Sequence, residues 1–182
     1  MHSGFRRSSR GFSLAEMLVV VAIIGILSMI SVPAFINFRA SNSLKSAMNV
    51  FINDVRYARQ YSITQTVYVR VIVDSSGATT SRTYSFQSSA DNGATWGSMT
   101  VPGANGNQKS LPQQVWFVST TDLPTAGATT QIEYHPNGGL ILATNASSGQ
   151  VVIGSSWARM AYDRYTIVFS PSGQLTSRGT HS

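Results

Sequence analysis

The sequence predicts an α+β protein: one long N-terminal helix, half transmembrane and half amphipathic, packed on an antiparallel β head of two small sheets. Three observations predict it. An apolar run fills residues 12–38, a helical stripe of apolar residues follows it, and seven short strand-like segments with turn chemistry between them fill the rest. The whole chain has 182 residues, no cysteine, and thirteen Lys+Arg against seven Asp+Glu. Charged residues make up 11% of it, far below the ~25% usual for a soluble domain. Charge-driven disorder is thereby excluded. So are a disulfide framework, a thiolate metal site and a cysteine nucleophile.

Residues 1–11 form a short basic leader with Arg6, Arg7 and Arg10 and no acid. The run Phe12–Phe38 holds a single acid, Glu16, and a single proline, Pro33. As a helix, Met17–Ile36 alone extends about 30 Å, enough to cross the hydrocarbon core of a bilayer. The arginines before it keep the amino end cytoplasmic and send the rest of the chain across. A cleavable secretory signal would have an apolar region of about 7–15 residues and a small-x-small site after it. This run is longer and carries no such site. Glu16 sets it apart from a plain anchor, because a carboxylate within the membrane is costly and needs a partner.

Residues 39–63 continue the helix as an amphipathic stem. Leu44, Met48, Phe51, Val55, Ala58 and Ser62 advance by alternating steps of four and three, one helical face, flanked by Ala47 and Ile52. That face is expected to bury against the head, leaving Val50, Asn53 and Tyr57 open. From Phe12 to Ile63 the helix would extend ~78 Å if straight.

Residues 64–182 form the head. In Val67–Val73 four valines alternate with Tyr68, Arg70 and Ile72, a strand with one apolar face. Further strands are predicted at Thr83–Gln87, Val115–Ser119, Gln131–His135, Leu140–Ala143, Val151–Ile153 and Tyr165–Ser170. Ser75-Ser76-Gly77, Pro136-Asn137-Gly138-Gly139, Ser148-Gly149 and Pro171-Ser172-Gly173 are turns, with proline setting φ and Gly or Asn accepting positive φ. Residues 90–108 read as a long surface loop with weak strand character at Trp96–Val101, and Arg178–Ser182 as a frayed end.

The residues Arg10-Gly11-Phe12-Ser13-Leu14-Ala15-Glu16, with the apolar run after them, resemble the class III signal of type IV pilins and type II secretion pseudopilins. The resemblance implies cleavage of the Gly11–Phe12 bond by a prepilin peptidase and N-methylation of Phe12. It also implies pairing of Glu16 with the amine of a neighbouring subunit, and a stretch between Gly25 and Pro33 that loses helicity in the filament. The segment Val55–Ile63 running into the valine strand is similar to the H-type minor pseudopilins and the minor pilins grouped with them (GspH/FimT-like). So are the two units Ile132–Gly138 and Ile167–Gly173. Major pilins of this kind usually close a disulfide loop, and this chain has no cysteine.

The function so implied is that of a minor pilin that helps prime a type IV pilus and sits at or near its tip. The alternative is an H-type minor pseudopilin of a type II secretion system. The partners implied are other minor and major pilins or pseudopilins through the N-terminal helix, the prepilin peptidase and an inner-membrane assembly platform. The location implied is the inner membrane, single pass, with a periplasmic head, and then the filament. A second alternative is a DNA-binding minor pilin for natural transformation. Some relatives bind DNA through Gly-Arg-x-Arg after the last strand, where this chain has Gly173-Gln174-Leu175-Thr176-Ser177-Arg178. Arg159, Arg164 and Arg178 are its candidate contacts. Without the three leader arginines, ten basic side chains face seven acidic ones, a weak field for phosphate.

No enzyme is predicted. Gly-x-Ser-x-Gly, His-Glu-x-x-His and Gly-Lys-[Ser/Thr] are all absent. No cofactor and no metal site is expected: Asp91-Asn92-Gly93 reads as a turn, and His135 as an ordinary histidine beside one. Asn145-Ala146-Ser147 has the form of a glycosylation acceptor.

Overall fold

A computed structural model describes residues 12–76, 78–155 and 164–180. Among the described residues a single helix, α1 (Leu14–Gln65), is followed by eleven strands, and the chain divides into two compact units, Met1–Asn37 and Phe38–Ser182. The class is α+β, and the strands form two antiparallel sheets.

α1 opens and closes on recognisable chemistry. Ser13 caps it: the Ala15 N–H donates to Ser13 Oγ at 3.3 Å, and the Met17 N–H donates to the Ser13 carbonyl at 3.2 Å. It ends two residues beyond the predicted stem. Thr66 takes φ of 55°, and the Val67 N–H donates back to Ser62 O at 3.1 Å, a Schellman closure built on threonine where glycine is usual.

One sheet of the head joins β1 (Tyr68–Asp74), β2 (Thr83–Ser89), β3 (Gly97–Ser98), β4 (Gln108–Ser110), β6 (Thr125–Ala126), β7 (Thr129–Tyr134) and β8 (Leu140–Ile141). Its path runs β3-β2-β1-β7-β6, with β4 also on β2 and β8 also on β7. The other sheet runs β11 (Leu175–Thr180), β10 (Arg164–Phe169), β9 (Gly149–Ser155) and β5 (Val115–Thr121).

Alternation decides the core. Val69, Val71 and Val73 are buried, and register places Phe86 and Ile132 on either side of Val71, and Tyr84 beside Val73. The stem stripe is buried as the sequence predicts, Leu44 through Ser62, with Ala47 and Ile52 beside it, while Val50, Asn53 and Tyr57 stay exposed. Phe51 joins the three layers. Its ring meets Tyr84 of the first sheet edge-on at 5.1 Å and Phe117 of the second at 5.3 Å.

Two expectations need correction. Residues 90–108 are not all surface: Met99 and Val101 are buried in the core, the Met99 N–H donates to Phe86 O at 3.1 Å, and Gln108 begins β4. Burial of two apolar side chains draws the segment onto β2. Nor is Arg178 in a frayed end: Arg178–Thr180 belong to β11, which pairs along its whole length with β10. An edge strand exposed on both faces needs no apolar alternation, so Thr176, Ser177 and Arg178 gave no strand signal.

Candidate functional site

In the first unit the described residues begin at Phe12, so Gly11 and the leader arginines lie outside them. Phe12 and the large apolar side chains of the segment are exposed wherever described, from Leu14 and Met17 to Phe35 and Ile36. A helix apolar on every side finds its partners in lipid or in other apolar helices. This helix is long and apolar enough to cross a membrane, and its most apolar window has none of its residues buried. Ser28 Oγ–H donates to Ile24 O at 2.7 Å, satisfying the hydroxyl without a partner chain. The backbone is helical through Gly25 and Pro33, and a side chain added at Gly25 would meet nothing.

Glu16 sits in the first turn of α1, three residues after the cap Ser13. Ser-x-x-Glu is the capping-box spacing, and an acid in the first turn opposes the positive end of the helix dipole. The Ser13 hydroxyl takes the N–H of Ala15, and Glu16 stands at the third helical position with its charge on the side the dipole favours, a spacing that the sequence already displays.

In the head, two polar clusters tie the stem to the strands. Asp54 is buried on the stem face between Phe51 and Ala58, where it accepts Lys109 Nζ at 2.7 Å and the Tyr84 hydroxyl at 2.7 Å. Burial first, then the bond and charge of Asp54, push the Tyr84 phenol far above its ordinary range, so it remains a donor. The second cluster centres on Arg59. Its Nε–H donates to Gly138 O at 2.9 Å and its Nη2–H to Ser172 O at 2.7 Å. One guanidinium thus holds the β7–β8 turn and the β10–β11 turn, which a third bond joins, Leu140 N–H to Pro171 O at 2.9 Å. Both turns need glycine. Gly138 and Gly173 have φ of 77° and 78°, and a Cβ on Gly138 would lie 2.6 Å from Ile63 Cδ1. The matching Pro-x-Gly units were visible in the sequence; that Arg59 binds both was not.

The outer face of the first sheet carries a third cluster. Arg70 lies 4.0 Å over the Trp96 ring and donates to Gln87 Oε1 at 2.7 Å. Glu133 faces Arg70 across β1 and β7, and burial raises its carboxyl above the usual range against the pull of Arg70. His135 packs on the Tyr68 ring at 5.1 Å. Asp91 is a loop cap: its carboxylate accepts the Ser89 and Thr95 hydroxyls and the Thr95 N–H, which hold its pKa well below the ordinary range. Among the described residues no group of three His, Asp or Glu could hold a metal ion.

Of the three candidate arginines, Arg159 lies outside the described residues. Arg164 and Arg178 come together. Thr166 pairs with Arg178 and Arg164 with Thr180, so the two arginines are diagonal neighbours on the exposed face of β10 and β11.

Comparison with known proteins places these features. Residues 6–32 match the prokaryotic N-terminal methylation motif. The type IV major pilin protein PilA of Myxococcus xanthus (strain DK1622) is 49% identical over 45 residues, 25% of this chain and 20% of that protein. The match thus spans about a fifth of that relative's length. The minor pseudopilin EpsH from the type 2 secretion system of Vibrio cholerae superposes with a TM-score of 0.55 at 13% identity, over 75% of this chain and 97% of that one. The type IV minor pilin FimU of Pseudomonas aeruginosa (PAO1) gives 0.49 at 14% identity, over 74% and 92%. The chain therefore joins a prepilin methylation motif to the fold of a minor pseudopilin.

Proposed function

We propose that this chain, a pilin-like protein by its motif and fold, is a minor pilin that helps prime a type IV pilus and enters it at or near the tip. The observation that carries the reading is the methylation motif over residues 6–32, set on a helix whose apolar side chains are exposed. In this reading a prepilin peptidase cuts the Gly11–Phe12 bond, Phe12 is methylated, and Glu16 pairs with the amine of a neighbouring subunit. A bare carboxylate in hydrocarbon is expensive, and pairing recovers part of that cost only at the correct axial stagger. The absence of cysteine favours a minor over a major subunit. The precursor lies in the inner membrane with its head in the periplasm, and its partners are other pilins and the assembly platform.

The fold likeness to EpsH favours a second reading, an H-type minor pseudopilin of a type II secretion system. Arg164 and Arg178 on one exposed face favour a third, a pilin that captures DNA. Deleting the gene separates the three. The first reading expects loss of surface pili, restored by the wild-type gene and not by Gly11→Val. Intact pili with lost protein secretion would favour the second. Intact pili with lost transformation, and a gel shift abolished by Arg164→Ala with Arg178→Ala, would favour the third.

A further inference from the structure

We propose that the outer edge of β11 accepts the extended C-terminal segment of a partner polypeptide as a fifth strand, with the partner's terminal carboxylate seated between Arg56 and Arg59. Sheet edges template pairing unless they are shortened, bulged, covered or guarded by charge, and β11 carries a single charge, Arg178. Among the described residues the other edges are so managed. In the larger sheet the edge strands β3, β4, β6 and β8 have only two or three residues each. In the smaller sheet β5 is longer, but its register shifts between Phe117 and Ser119. β11 is the exception: it has six residues, pairs with β10 without a shift, and has no strand on its other side among the described residues. None of its residues is buried.

The backbone groups on that edge follow from the ladder. The Ser170 N–H donates to Gln174 O at 3.0 Å, so alternation along an antiparallel pair turns the N–H and C=O of Leu175, Ser177 and Gly179 outward. At the start of β11 the edge opens on a groove of about 370 Å³, lined by Arg56, Arg59, Gln60, Gln174 and Leu175 among others. The lining has two guanidiniums and two amides and no acid. Arg59 spends Nε and Nη2 on the two turns and keeps Nη1; Arg56, one turn earlier on α1, is exposed.

The direction of the partner follows from these positions. β11 runs away from the groove, from Leu175 to Thr180. A strand added antiparallel, as in every pairing of this sheet, runs toward the groove and ends there. Its terminal carboxylate then meets the guanidiniums in a charge-assisted contact. Edge and groove both lie in the unit Phe38–Ser182, so the assignment holds whichever filament the chain enters.

The test uses the full chain in detergent micelles and an acetylated Thr-Val-Thr-Val-Thr peptide, with a free C-terminal carboxylate or as its amide. The free acid should slow hydrogen exchange of the outward amides of β11 and bind about tenfold more tightly than the amide. Arg56→Gln, which leaves only Arg59, should cut that difference to about threefold or less. Ser177→Pro removes an outward N–H without removing a bond to β10, and should abolish binding of both peptides while the circular dichroism is unchanged. Equal binding of acid and amide, no protection at β11, or binding unaffected by Ser177→Pro would each overturn the proposal. So would protection that grows with protein concentration without peptide, which would give the edge to a second copy, or competition by inorganic phosphate with no protection of β11.

Discussion

At Glu16, helix capping and charge pairing ask for different chemistry. Gln serves as well as Glu at the third position of a capping box, but carries no charge. Glu16→Gln is therefore expected to insert and mature normally, yet to lose cysteine crosslinks between neighbouring stems, nearly as completely as Glu16→Ala. Wild-type crosslinking by Glu16→Gln would leave capping as the whole role. Asp54 is the residue to test in the head. It accepts from Lys109 and Tyr84 in a largely buried site. Asp54→Ala leaves a half-buried ammonium and the buried Tyr84 hydroxyl without their acceptor, and should cost about 2 kcal/mol or more in urea unfolding of the head. Asp54→Leu with Lys109→Met, which removes both charges, should recover most of that loss.

At the scale of elements, the helix and the longer strands were legible because each has a face in the core and repeats its apolar residues at its own period. The stripe from Leu44 to Ser62 and the valines of β1 are such cases. β4, β6 and β11 were not, because short or two-sided edge strands bury little and leave no period to read. The candidate site divides the same way. The capping and signal residues lie within a few positions of one another, so the sequence displays them. The Arg59 clamp joins residues 79 and 113 positions apart, and only the fold brings them together. The end of α1 offers a direct check. Thr66 holds a left-handed conformation that costs a β-branched residue about 1–2 kcal/mol. Thr66→Gly relieves this at some cost in unfolded-state entropy, and should raise the urea midpoint of the head by the equivalent of up to about 1 kcal/mol.

At the scale of the whole molecule, the division into two units matches a division of labour. The buried residues that make the hydrophobic core all lie in Phe38–Ser182, which carries its own helix and both sheets. A chain beginning at Phe38 should therefore be soluble, monomeric and cooperatively folded, with mixed helix and strand by circular dichroism; one that only aggregates would contradict this. The first unit keeps its apolar side chains exposed and carries the methylation motif, a combination that fits membrane anchoring. Everything proposed for it depends on processing. The most direct measurement is the intact mass of the protein recovered from membranes. The account predicts a mature chain that begins at Phe12 and carries one methyl group, and a precursor retaining residues 1–11 when Gly11 is replaced by valine. A wild-type protein that keeps its leader, or a Gly11→Val protein that matures normally, would contradict it.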